Sequence, residues 1–203
     1  MIININPNNP QLRLIKQVAD KINHGAVICY PTDTGYGIGC GIFNPKAIKQ
    51  IVQLKKRPTN KPFSFMCYDL TNISKYAHVS NTAYRLLKKN LPGPYTFVLP
   101  GTKLVPKVMT TRQKTVGIRV PENQICRSML EELGTPIINT SIPVKEDAQK
   151  PNEAYEIDLL IGNRIDLIID GGPVYQDPSS INDLTGDVPQ ILRIGKGNVT
   201  PFQ

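Results

Sequence analysis

Ala26-Val27-Ile28-Cys29-Tyr30-Pro31-Thr32-Asp33-Thr34-Gly35-Tyr36-Gly37-Ile38-Gly39 changes character halfway along. Ala26 to Tyr30 is continuously apolar and short, as a strand covered on both faces would be. The rest, continuing through Cys40 and Gly41, is polar and glycine-rich. Two readings of it stand side by side. In α/β proteins, ligands sit in loops at strand ends, and alternating glycines let a backbone approach closely. Alternatively, the run is a tight turn into a glycine-rich strand. It matches neither G-x-G-x-x-G nor G-x-x-x-x-G-K-[ST], so both standard nucleotide loops are absent.

Upstream, Leu12, Ile15, Val18, Ala19 and Ile22 share a helical face, with Asn9 as cap, Pro10 at the first helical position and Gly25 as the stop. Downstream, Asn44-Pro45 opens a helix carrying Ile48, Ile51, Val52 and Leu54. Strands are expected over 63–68, 95–99, 116–120, 137–140, 166–170, 180–184 and 190–194. Helices are expected near Ser74, over 80–90, after Asn123 and over 153–162, with a mobile polar loop over 142–153. Alternating helices and strands indicate α/β layering, and the adjacent late strands indicate a mixed sheet.

The chain has 203 residues, enough for one domain with a single core. Its 24 Lys+Arg outweigh 16 Asp+Glu, giving net +8 and pointing to an anionic partner: nucleotide, nucleic acid or phosphometabolite. No apolar run has the length of a membrane helix, and no basic start leads into an apolar stretch. A soluble, cytoplasmic protein is expected. Cys29, Cys40, Cys67 and Cys126 form no C-x-x-C pair, and His24 and His78 share no motif, so neither a metal site nor a disulfide framework is expected. His24 reads as a helix C-cap. No Ser-His-Asp nucleophile pattern is present.

Lys55-Lys56-Arg57-Pro58, with Lys61, places cations at a helix end and its loop, because residues preceding proline avoid helical dihedrals. A triphosphate needs several fixed cations, and arginine adds a planar two-pronged grip. An ordinary basic surface is the competing reading. Asn139-Thr140-Ser141 follows a strand, and its hydroxyls suit either an anion or the loop's own backbone. Ser179 and Arg193 belong to the C-terminal strands.

Read in order, Y-P-T-D-T-G-Y-G-I-G-C, L-K-K-R-P-x-x-K, L-P-G-P-Y-T-F-V-L, G-I-R-V-P, N-T-S, S-S-I-N-D-L-T-G and I-L-R-I-G resemble the YrdC family, with wording nearest its YciO-like branch. The resemblance implies one YrdC-like domain over residues 1–203, core about 10–197, built as a twisted open α/β sheet with flanking helices and a large basic cavity. It implies L-threonylcarbamoyladenylate synthesis from L-threonine, bicarbonate and ATP with Mg²⁺ and no organic cofactor, feeding N6-threonylcarbamoylation of a tRNA adenosine. By the same resemblance Lys55, Arg57 and Ser141 are catalytic and bind ATP together with Lys61 and Arg193, while Thr34, Arg119 and Ser179 lie by threonine. Two departures accompany it. The family's S-x-N motif reads Ser141-Ile142-Pro143, and Met66 replaces a polar residue of some synthases. The alternative function is binding of double-stranded or ribosomal RNA through the same cavity, with Lys88, Lys89, Lys103, Lys107, Arg112 and Lys114 contributing charge.

Overall fold

The computed structural model describes residues 1–56, 63–144 and 149–203. Among these residues ten strands form one mixed sheet: β1 (Ile2–Asn4), β2 (Ile28–Thr32), β3 (Gly35–Gly39), β4 (Ser64–Met66), β5 (Tyr95–Pro100), β6 (Thr115–Arg119), β7 (Ile137–Ser141), β8 (Leu167–Asp170), β9 (Ser180–Asp183) and β10 (Gln190–Arg193). Their order is β1-β8-β2-β3-β7-β4-β6-β5-β9-β10. Six helices flank it: α1 (Leu12–Asn23), α2 (Pro45–Lys55), α3 (Leu70–Tyr76), α4 (Asn81–Asn90), α5 (Gln124–Leu133) and α6 (Ala154–Ile161). None of the described helices is long and apolar enough to cross a membrane.

The glycine-rich run resolves as a hairpin. β3 returns antiparallel along β2, from Thr32↔Gly35 to Ile28↔Gly39, and both strands are buried throughout. Its glycines admit close neighbours: a side chain at Gly39 would meet the Ile138 carbonyl of the crossing chain and the Tyr30 hydroxyl. Tyr30 Oη donates to the Ile138 carbonyl at 2.8 Å, tying β2 to β7 across the glycine.

The period-2 alternation of strand side chains splits the interior into two cores. On one face Cys29, Ile38, Phe65, Phe97, Ile118 and Ile138 pack with apolar residues of α2, α3, α4 and α6. On the other, Ile28, Tyr30, Leu167 and Ile169 pack under α1 and α5.

Several helix boundaries follow directly from chemistry. Asn44 accepts from Ala47 N with Pro45 at the first turn, Ser80 accepts from Ala83 N, and Asn123 accepts from Cys126 N. Gly25 and Gly134 take the positive φ that ends α1 and α5, and His24 is the C-cap of α1. The expected start of α1 needs correction. Asn9 is not its cap: Gln11 precedes the helix without a side-chain cap, and Leu12 is exposed. Asn6 takes the local backbone donors instead, accepting from Asn8 and Asn9 N–H. Strand β1, too short to show alternation, was not anticipated; it pairs parallel with β8, Ile2 opposite Ile168. The 142–153 loop is described only at 142–144 and 149–153.

Gly39→Ala should destabilise the fold by about 1–3 kcal/mol, since the neighbour is backbone and cannot rotate away. A urea melt with a lower midpoint and an unchanged slope checks this; an unaltered midpoint would show that β2–β7 spacing has slack.

Candidate functional site

Helices α1 and α5 cover β1, β8 and β2 and the Met66 and Ile137 ends of β4 and β7, and beyond them the same face of the sheet lines a cavity of about 380 Å³. The residue types change to suit. Where the opposite face carries Phe65, Phe97, Ile118 and Ile138, the cavity positions are Ser64, Thr96, Gly117, Arg119, Asn139 and Ser141. The charged side chains lining the cavity, among the described residues, are Arg119, Lys150 and Arg193.

Arg119, at the end of β6, is 5% exposed. Its Nη2 donates to Asp33 Oδ1 at 2.8 Å and to Thr34 Oγ1 at 2.9 Å. Its Nε is buried without a partner in the structure. The β2–β3 turn that supplies these acceptors is itself fixed. Thr32 Oγ1 donates to the Gly35 carbonyl at 2.6 Å and accepts from Thr34 N at 3.1 Å. Lys196 Nζ donates to the Asp33 carbonyl at 2.6 Å, and Glu122 N donates to Asp33 Oδ2 at 3.3 Å.

A second arginine faces the same space from the far strands. Arg193 Nε and Nη2 donate to the Ser179 carbonyl at 3.0 and 2.6 Å, and Nη2 reaches Ser179 Oγ at 3.2 Å. Ser179 Oγ shares a hydrogen bond of 2.8 Å with Thr96 Oγ1. Burial first, and then the positive charge of Arg119, lower the proton affinity of Arg193; an arginine still keeps its charge at neutral pH. On β7 a third grouping forms. Lys55, the last residue of α2, donates to the Ser141 carbonyl at 2.7 Å and to Ser141 Oγ at 3.2 Å. Lys56 then closes the helix at φ 46°.

Of the residues expected at the site, Thr34, Arg119, Ser179, Arg193 and Ser141 line one cavity and Lys55 touches it through Ser141. Arg57 and Lys61 lie outside the described residues. Arg193, expected on the phosphate side, bonds to Ser179, expected on the threonine side. Met66 is fully buried beside Tyr30 in the smaller core. Sequence reading missed Asp33, Thr96 and Lys196. Asp33 stood in the decisive run as a turn residue, and Thr96 was hidden inside an apolar strand.

The thiols offer no alternative chemistry. All four cysteines are free and buried. Burial pushes Cys40 up to about 12 and Cys29, Cys67 and Cys126 upward as well, the opposite of what a nucleophile needs. Lys88, Lys89, Lys103, Lys107, Arg112 and Lys114 are exposed.

A model of the Sua5/YciO/YrdC family, described as telomere recombination, matches residues 20–195. YciO of Escherichia coli is 43% identical over 199 residues, covering 98% of this chain and 97% of that one. The crystal structure of E. coli YciO superposes with a TM-score of 0.94 over 100% of this chain and 99% of that chain. A putative threonylcarbamoyl-AMP synthase of Methanocaldococcus jannaschii is 32% identical over 192 residues, 94% of this chain and 88% of that protein. The crystal structure of Pyrococcus abyssi Sua5 complexed with L-threonine matches with a TM-score of 0.88 at 30% identity, over 96% of this chain but 57% of that one.

Proposed function

The chain belongs to the Sua5/YciO/YrdC family, and from that premise we propose that it is a nucleotidyltransferase making L-threonylcarbamoyladenylate and diphosphate from L-threonine, bicarbonate and ATP. One observation carries the reading: a single cavity holds the Arg119–Thr34 grouping, the Arg193–Ser179 grouping and the Lys55–Ser141 pair. A reaction that joins an amino acid to a nucleotide needs cations at both substrates and none of the covalent nucleophiles this site lacks.

In this reading the threonine carboxylate lies against Arg119 and Thr34; that a relative's crystal structure is complexed with L-threonine supports threonine as a ligand. Bicarbonate yields carbon dioxide by losing hydroxide, the amine adds to it and gives up a proton, and the products are a carbamate and water. A carbamate oxygen attacks the α-phosphorus, a new P–O bond forms, and the bond to diphosphate breaks. Arg193, held by Ser179 on the same cavity, neutralises charge at the α-phosphoryl group, while Lys55, Ser141, Arg57 and Lys61 hold the phosphates. No cluster of three His, Cys, Asp or Glu side chains forms among the described residues; Mg²⁺ delivered with ATP takes phosphate oxygens and water as ligands. The product then supplies tRNA threonylcarbamoylation in the cytoplasm.

A second reading, binding of double-stranded or ribosomal RNA, is favoured by one feature. Exposed Lys103, Lys107, Arg112 and Lys114 lie close in sequence to Thr111 and Thr115, which line the cavity. Such binding would be shape-reading through phosphates and would fall steeply with salt. Filter binding that detects no duplex RNA at low salt removes it.

Diphosphate release from ATP should depend on both L-threonine and bicarbonate, and Arg57→Ala should weaken ATP binding by about tenfold. Release that ignores both substrates sinks the synthase reading.

Turnover should be low in the natural chain. Pro143 follows Ser141 by two residues and offers no carboxamide where the family's motif has asparagine. Pro143→Asn should raise turnover by about tenfold to a hundredfold, a gain of about 1.4–2.8 kcal/mol. The product is identified by mass at saturating threonine and bicarbonate; a natural chain already as fast as an efficient synthase refutes the argument.

A further inference from the structure

We infer that Asp33 sets the charge selectivity of this cavity, by neutralising Arg119 so that its corner accepts a single carboxylate and turns away phosphates. The inference rests on the reading that the cavity takes an amino acid and a nucleotide together.

Arg119, Lys150 and Arg193 line one cavity, and Arg193 is close enough to Arg119 to feel its charge. Left unpaired, two neighbouring guanidiniums form a polyanion trap, since guanidinium and phosphate match in geometry and charge. Such a trap would compete with Lys55 for the phosphates of ATP and hold the nucleotide the wrong way round. Asp33 prevents this. Its carboxylate lies 2.8 Å from Arg119 Nη2, with the two side chains 7% and 5% exposed. Water does not screen so buried a pair, so the carboxylate cancels most of the guanidinium's outward field. The pair then presents no net charge of its own, so a phosphate chain loses one of the two guanidiniums it would otherwise bridge.

Geometry still leaves Arg119 able to hold a carboxylate. Asp33 and Thr34 both take their hydrogen bonds from Nη2, while Nε is buried with no partner. Asp33 thereby fixes the orientation of the guanidinium and leaves a donor unsatisfied for one incoming acceptor. The carboxylate is held in turn by the Glu122 backbone N–H, and the residue's carbonyl by Lys196 Nζ. Asp33 is therefore a positioning residue that acts on ligands through Arg119.

The test uses inorganic diphosphate and L-threonine as probes, titrated calorimetrically at low ionic strength into the full chain. In the natural protein, diphosphate should leave threonine affinity unchanged; competition between them overturns the proposal without any variant. Asp33→Asn keeps a hydrogen-bond acceptor but removes the charge. It should gain diphosphate binding by about tenfold and lose threonine binding to competition by diphosphate. Mere structural damage lowers both affinities and cannot produce a gain. Asp33→Glu should restore the natural behaviour, and adding Arg119→Gln to Asp33→Asn should abolish the gain. A folded Asp33→Asn chain with natural diphosphate affinity overturns the proposal. Turnover is not needed for any of these readouts, so a chain that makes no threonylcarbamoyladenylate sinks the synthase reading alone.

Discussion

The buried ion pair between Arg119 and Asp33 is the contact on which the site depends. It ties β6 to the turn between β2 and β3 across the mouth of the sheet, and both partners are almost wholly removed from water. Breaking such a pair by deleting one member leaves an uncompensated buried charge, at a cost of about 3–5 kcal/mol. Burial at that cost is poor evidence of a purely structural role, because well-packed apolar residues hold strands together as well. A buried arginine with an unsatisfied Nε, facing a polar cavity, instead has the form of a prepared binding group.

How the sheet comes to have a cavity at all is a matter of coverage. Its larger core is continuous from β8 to β9 under four helices. On the reverse face, among the described residues, α1 and α5 pack, and the core beneath them reaches Ile137 of β7 and Met66 of β4. Strands lying beyond that cover still present every second residue to the reverse face, and polar or small ones such as Ser64, Thr96, Gly117, Arg119 and Asn139 line the cavity beside Val98 and Ile181. The site is thus the part of a two-faced sheet that no helix covers, floored by strands made rigid by the core beneath.

Much of this was legible in the amino-acid sequence. Asn44-Pro45, Ser80, Asn123 and Gly134 each place a helix end through a local rule that needs no tertiary partner. The apolar run 26–30 declared a strand buried on both sides. The following glycines were ambiguous, because nothing local distinguishes a ligand loop from a strand whose missing side chains make room for Tyr30 and the Ile138 carbonyl; that neighbour is about a hundred residues away. β1 was invisible for a similar reason: three residues show no period, and its reason to exist is the open edge of β8. Thr34, Arg119, Ser179 and Arg193 were singled out through the resemblance of ordered motifs, and the fold gathers them around one cavity. Asp33 was on the page but without a role, since its partner comes from another strand.

The cysteines carry a consequence of a different kind. Four thiols sit in the interior as small apolar fillers, and the site needs none of them. Burial pushes Cys40 up to about 12 and raises the other three as well, so little thiolate forms at neutral pH. Peroxide and electrophiles attack the thiolate, so the folded chain is nearly blind to the redox poise around it. A catalyst built this way would keep its output steady through an oxidative burst that silences cysteine-dependent enzymes beside it.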